Sequence, residues 1–343
     1  MPPQISSRAG ILCRPKFLAG RHPYAAADAL IRHMSHESQL TKSESQVATA
    51  VEDQDFVPEY EMRFEDLRRM LHRLRRSTLS LVGMAIVWGL ILVAIFAPVI
   101  APYPEDVDSV HFDQTFQPPS MEHLFGTDEV GRDVFSRVIY GTRISLALGA
   151  AVLVIAITIG VPLGLIAGYA GGTVNTVIMR TTDIFLAIPP LVLALAVSAV
   201  LTPTMENAII AIAFVWWPWY TRLIQGMVLS IKEDTYIEAA RSVGAGTLYV
   251  VFKEILPLCV SILIIKITLD IGYAILTGAV LGFLGLGVRP PTPEWGTMAS
   301  KGRLHLPVRW WLTTFPGLAI FITVLGFNLL GDGLRDAFDV EME

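Results

Sequence analysis

The sequence predicts an all-α membrane protein: six membrane-spanning helices, a short amphipathic helix on one face and a disordered N-terminal arm. Three observations carry that expectation. Of its 343 residues 53% are hydrophobic and only 17% charged, against about 25% charged in soluble domains, so lipid solvates much of the chain. The apolar residues gather in runs long enough for a membrane helix, which needs about 20 residues. Between two of these runs lies an Ala-rich segment, Glu238-Ala239-Ala240-Arg241-Ser242-Val243-Gly244, followed after nine residues by Glu254-Ile255-Leu256-Pro257.

From the N-terminus, residues 1–61 mix Ser, Gln, Ala, His and Glu without a helical or strand period, which predicts disorder. They lack the apolar core of a secretory signal. Arg8, Arg14, Lys16 and Arg21 precede the first acid, a faint likeness to a transit peptide; a true start at Met34 or Met62 is the alternative. No function is assigned to the arm. Cys13 and Cys259 differ in setting and have no metal-site neighbours, so they read as inert thiols.

Residues 62–343 form the membrane domain. Its spans are expected over Leu79–Ala101, Ile144–Tyr169, Val177–Leu201, Ala208–Val228, Leu258–Leu286 and Trp311–Leu330. Pro162, Pro189, Pro190 and Pro218 interrupt them and predict kinked helices. Glycines 160, 164, 168, 171 and 172, and again 278, 282, 285 and 287, predict close helix approach. The basic cluster Arg63, Arg68, Arg69, Arg73, Arg75 and Arg76 places both termini and the 229–257 loop in the cytoplasm. Arg289, Lys301, Arg303 and Arg309 in a later outer loop run against that rule, but early charge usually dominates.

The loop over 102–142 is then outside. Its Pro-rich, acidic first half reads as extended. In its second half Val130, Val134, Phe135 and Val138 recur at helical spacing and predict a short helix lying on the outer face. On the cytoplasmic side Asp234 is placed to cap a helix, and Ala239 and Ala240 let a partner approach near the backbone. Gly244 suits the left-handed position that ends it, and Thr247 is placed to cap the next helix. A push on the first element would tilt the span that follows.

This segment is similar to the coupling-loop signature of bacterial and archaeal ABC importer permeases. The likeness extends over roughly residues 77–340, in family order. Gly126-Thr127-Asp128, Gly131-Arg132-Asp133, Ser136-Arg137 and Gly141 to Leu146 resemble the outer-loop signature of the dipeptide/oligopeptide branch. So do Phe283-Leu284-Gly285-Leu286-Gly287 with Trp295-Gly296, and the run from Asn328 to Asp336. The match is to the C-type subunit.

The resemblance implies a type I permease arrangement in a cell membrane, with half the translocation pathway on this chain and half on a B-type permease subunit. It implies that Glu238, Ala239, Ala240, Arg241, Gly244, Leu256 and Pro257 couple to one of two ATP-binding subunits, and that an extracytoplasmic binding protein delivers dipeptides or oligopeptides. Nickel chelates and oligosaccharides are the branch's other cargoes. ATP and Mg would sit on the partners; no cofactor and no nucleic acid is expected on this chain. Independently, it carries no Gly-x-x-x-x-Gly-Lys-Ser/Thr phosphate loop. Two departures stand out: Glu254 where many coupling loops have Ile, and Gly278 near where the family often has a glutamate.

Intramembrane charge is costly, so Lys266 and Asp270, one turn apart, should pair or face water. They read either as a pathway lining that meets a zwitterion or as an internal ion pair. Trp216, Trp217 and Trp219 flank Pro218 and read as packing around a kink or as lining of the pathway. Arg180 and Asp183 read as a boundary pair, and Trp310 and Trp311 as an outer aromatic belt. The seven histidines form no ligand set. A self-sufficient secondary transporter would want an inverted repeat between 79–170 and 177–330, which is not seen. An intramembrane enzyme would want a Ser/His, paired-Asp or His-Glu-x-x-His set, also not seen in the spans.

Overall fold

The computed structural model describes residues 77–339, so the expectations for the N-terminal arm and for the basic cluster at 63–76 lie outside the described residues. Among the described residues every named element is helical, with one isolated bridge between Thr127 and Asp133. In chain order the elements are α1 (Thr78–Ile100), α2 (Val134–Ala170), α3 (Gly172–Leu186), α4 (Pro190–Val200) and α5 (Met205–Ile231). Then come α6 (Thr235–Ser242), α7 (Thr247–Phe283, with a π turn at Val250–Ile255), α8 (Trp295–Arg303) and α9 (Trp311–Asp339).

Four helices, α1, α2, α7 and α9, are long and apolar enough to cross a membrane, and a fifth crossing exists if the bent pair α3–α4 counts as one. Helix α5 has 27 residues, about 40 Å at 1.5 Å per residue. Its length suits a sixth crossing, but the Trp-Trp-Pro-Trp-Tyr-Thr-Arg stretch makes its middle more polar than the others.

Two element boundaries differ from expectation for local reasons. The helix expected to lie on the outer face is the first turns of α2, whose start is set at Asp133 by a cap rather than at Ile144 by hydropathy. The Asp133 carboxylate accepts the Ser136 N–H at 2.7 Å. The span expected over 177–201 is two helices meeting at 85°. Pro189 and Pro190 offer no N–H to continue α3, and a residue before proline avoids the helical region.

The core forms where α2 packs on α5, the two running in the same direction. Gly160, Gly164 and Gly168 present a bare stripe: a Cβ on each would lie 2.6 Å from the Trp217 carbonyl oxygen, 2.7 Å from Ile224 Cβ and 2.6 Å from Val228 Cβ. Small residues at four-residue spacing bring two helices into backbone contact. The Thr221 hydroxyl then reaches across to the Gly160 carbonyl at 3.2 Å. Gly171 and Gly172 do something else, turning the chain with positive φ in open space. One buried cluster continues from this pair through Ile237 of α6 to Val250, Ile255 and Cys259 of α7. At the other end of α2, the 101–133 loop and α8 close over the helix ends.

Candidate functional site

Three places carry the residues that the sequence singles out. The first is α6 and its junction with α7. Asp234 stands at the N-cap of α6, but its side chain accepts no hydrogen bond there, and Gly246 rather than Thr247 is the N-cap of α7. The C-terminal end of α6 is better defined. Gly244, at φ +89°, donates to the Arg241 carbonyl at 3.0 Å, and Ala245 donates to the Ala240 carbonyl at 3.0 Å. That pair of bonds is the Schellman stop, and it needs a left-handed residue. No atom lies within 4 Å of a Cβ built on Gly244, so backbone conformation and not space selects glycine there.

A single fully buried side chain, Ile237, roots α6 in the core, and the Arg241 guanidinium carbon sits 5.1 Å from the Tyr169 ring centroid at the end of α2. Glu238, Ala239, Arg241 and Gly244 are exposed and Ala240 is half-buried. Around them Val243, Leu248, Tyr249 and Phe252 expose large apolar surface, as docking faces do. Burial, then the charges of Asp234 and Glu254, push the Tyr236 phenol above its usual range.

Leu256 and Pro257 lie inside α7 and not at its beginning. Proline obstructs the ordinary turn before it. The chain answers with the π turn, in which the Leu256 N–H bonds to the Val251 carbonyl, five residues back. From there the helix runs unbroken to Phe283.

The second place is the loop face. Asp128 Oδ1 accepts the N–H groups of Val130 and Arg132 at 3.0 Å each, while Oδ2 accepts Arg132 Nε at 2.9 Å. Asp133, which caps α2, also pairs with His123 Nδ1 at 3.0 Å, and its N–H bonds to Asp106 Oδ2 at 3.0 Å. Arg137 donates to the carbonyls of Val107 at 2.5 Å and Pro291 at 3.0 Å, tying the loop to the segment before α8. Thr127 accepts the Gln117 N–H at 2.8 Å, and Gly126 and Gly131 turn with φ of 72° and 83°. The motif residues Gly126 to Asp133 thus converge on one buried polar knot. Trp311 is part of it and not of a lipid belt: it is buried, with its indole N–H on the Thr127 carbonyl at 3.3 Å.

Beside the knot, Glu294 caps α8 through the N–H groups of Gly296 and Thr297, at 2.8 and 2.7 Å. Burial pushes its carboxyl above the usual range, against the pull of those bonds. Gly282 makes room for it, since a Cβ there would strike Glu294 Oε2.

The third place is the charge within the helices. Lys266 Nζ bonds Asp270 Oδ1 at 2.7 Å, as an i,i+4 pair on α7. Asp183 of α3 pairs with Arg222 of α5 and not with Arg180, so this is a bridge between helices instead of a boundary pair. Gln225 donates to Asn175 at 3.2 Å one turn further on. Trp217 is buried and meets Phe185, at the α3–α4 bend, with ring centroids 5.2 Å apart. Trp216 is half-buried between two core clusters. Trp217 therefore packs at the bend and Trp216 against the core. Sequence reasoning missed Arg222. Its signal was available, as the one formal charge in the run from Ala208 to Ile231.

Residues 160–343 match the family described as binding-protein-dependent transport system inner membrane component, and residues 67–119 match the N-terminal transmembrane domain of oligopeptide transport permease C. The chain is 44% identical to the dipeptide transport system permease protein DppC of Alkalihalophilus pseudofirmus, over 80% of this chain and 90% of that one. It is 42% identical to the glutathione transport system permease protein GsiD of Pectobacterium atrosepticum, over 80% of this chain and 91% of the relative. A solved inward-facing structure of the MetNI methionine ABC transporter aligns with 59% of this chain and 96% of its own, at 18% identity and a TM-score of 0.49.

Proposed function

Since this chain belongs to the family of binding-protein-dependent transport system inner membrane components, a multi-pass membrane permease, we propose that it forms half of the passage of an importer for dipeptides and short oligopeptides. The other half is a B-type permease subunit. Of two ATP-binding subunits one docks on α6 and the other on the partner permease, on the side that lies in the cytoplasm with both termini. A binding protein releases cargo at the face that carries the 101–133 loop. The relatives are named for dipeptide and for glutathione transport, both short peptides, which supports that cargo class.

One observation carries the coupling role: α6 is exposed on its Ala239 side, rooted by Ile237 and joined through a rigid stop to a helix that runs to Phe283. The exposed residues Glu238, Ala239, Arg241 and Gly244 form the handle, and Ala240 fits close behind it. Leu256 and Pro257 carry its motion into the span. A displacement of α6 therefore reaches the middle of the bilayer without a flexible joint between.

Gly244→Pro removes the N–H that bonds Arg241 and forbids positive φ. ATP-driven dipeptide uptake by the reconstituted complex should then fall at least about tenfold, while the permease pair still inserts and co-purifies. Uptake equal to wild type in Gly244→Pro and in Glu238→Ala would refute the coupling role. Growth on a dipeptide as sole amino-acid source, with and without this chain, tests the cargo.

A further inference from the structure

We infer that two ion pairs of the helix interior, Asp183–Arg222 and Lys266–Asp270, joined through Trp219, form one charged strip that lines the passage and holds the ionic ends of a zwitterionic cargo. This rests on the proposed transport role and assigns residues to it. Arg222 lies nine residues from the Ile231 end of α5 and seventeen from Met205, about 14 and 26 Å at 1.5 Å per residue. With α5 as the sixth crossing of the proposed arrangement, that depth is within the hydrocarbon layer. The Arg222 and Asp183 side chains are nevertheless 50% and 43% exposed on this chain. An exposed charge at such depth has to face water or protein, because lipid does not solvate it.

The surface of α5 changes character at Pro218. On the Met205 side, past Glu206 in the first turn, the exposed residues are Ile210 and Phe214; on the Ile231 side they are Trp219, Arg222, Gly226 and Ser230. The strip therefore starts at the α6 end and stops near the middle. Lys266 of the neighbouring α7 joins at that upper limit, with Nζ 6.0 Å from the Trp219 ring centroid. Arg180, exposed one turn before Asp183, adds a further cation at the α6 end.

Both pairs keep spare hydrogen-bonding capacity. Arg222 reaches Asp183 through Nη2 and Oδ1, and a guanidinium has five donors in a fork that fits a carboxylate. Asp270 uses Oδ1 for Lys266, while its buried Oδ2 has no hydrogen-bond partner. Arg222 and Lys266 are suited to a cargo carboxylate and Asp183 to its ammonium group, while the buried Asp270 holds Lys266 in position. A pair that is already formed limits the cost of an empty strip, and each cargo-facing partner can be exchanged for a cargo end of the same sign.

The test uses the whole complex in proteoliposomes with ATP and binding protein, and three cargoes: a free dipeptide, its N-acetylated form and its C-amidated form. Each variant's uptake is divided by wild-type uptake of the same cargo, which cancels differences in delivery. Arg222→Gln should raise KM for the free dipeptide about tenfold, the loss of one charge-assisted contact, and leave the amidated cargo nearly unchanged. Asp183→Asn should spare the acetylated cargo in the same way. The double exchange Asp183→Arg with Arg222→Asp preserves the pair; if it restores wild-type ratios for all three cargoes, the pair is only structural and the inference is overturned. Arg222→Cys should react with a charged, membrane-impermeant thiol reagent in the assembled complex, and absence of reaction throughout the ATP cycle would also overturn it. If the wild-type complex imports no dipeptide, the transport reading itself fails, which is a separate result.

Discussion

The two faces of this chain are held in opposite ways. On the loop face, three aspartates, two arginines and a histidine interlock through short bonds between Asp106, Asp128, Asp133, Arg132, Arg137 and His123, nearly all of them buried. On the α6 face, one isoleucine and one cation over a ring secure the helix, and its terminating glycine stands in open space. A buried ionic network has few alternative arrangements, because each partner that leaves strands another. A short helix with one apolar anchor has many. Under the proposed coupling role the loop face is the fixed frame, and α6, moving as one body with the helix it is joined to, is the part displaced against it.

Substitutions at the two faces test this contrast. The largest effect should come from the frame: Asp128→Ala leaves Arg132 buried without its acid, and breaking a buried pair costs about 3–5 kcal/mol. Denaturation of the purified permease pair should show a lower midpoint and proteolysis within 101–133. A variant as stable as wild type would show that the knot is decorative. Next, Ile237→Ala should cost about 2–4 kcal/mol locally, as a buried aliphatic truncation does. Here the global midpoint should hardly change while amide exchange in α6 accelerates; a global collapse would mean that α6 is structural and not a moving part. A smaller effect follows Gly244→Ala, about 1 kcal/mol for a left-handed alanine, seen as weakened coupling of ATP hydrolysis to uptake.

The smallest concerns pH. Glu294 keeps its proton more tightly when folded than its ordinary value of 4.5 allows. The folded state thus binds the extra proton between that value and the raised one, so its contribution is present at low pH and lost as pH rises through the folded value. Glu294→Gln should remove that slope from the stability curve of the loop face. An unchanged slope would place the titration elsewhere.

What was legible in advance follows the same division. Motif residues with local conformational demands declared themselves: Gly244 requires positive φ, and Asp128 two residues before Val130 makes its own turn. Residues whose role depends on a distant partner did not. Arg222 finds its acid 39 positions away, and Trp217 finds Phe185 across the bend. Hydropathy also placed the start of α2 at Ile144, because it sees lipid preference and not the cap at Asp133 that begins the helix. The 85° bend at Pro189–Pro190 was visible only as a pair of prolines, which membrane helices often absorb with less deflection.

The wide turn at Val250–Ile255 puts one supernumerary residue between the handle and the rod that it drives. That wide turn fits the extra residue into nearly the arc of an ordinary one, so removing one residue there would restore ordinary winding and leave α6 close to its present orientation. A codon deletion within Val250–Ile255 would thus spare the aim of Ala239, whereas the same deletion in the regular winding beyond Pro257 would turn it by about 100° with an axial shift of about 1.5 Å.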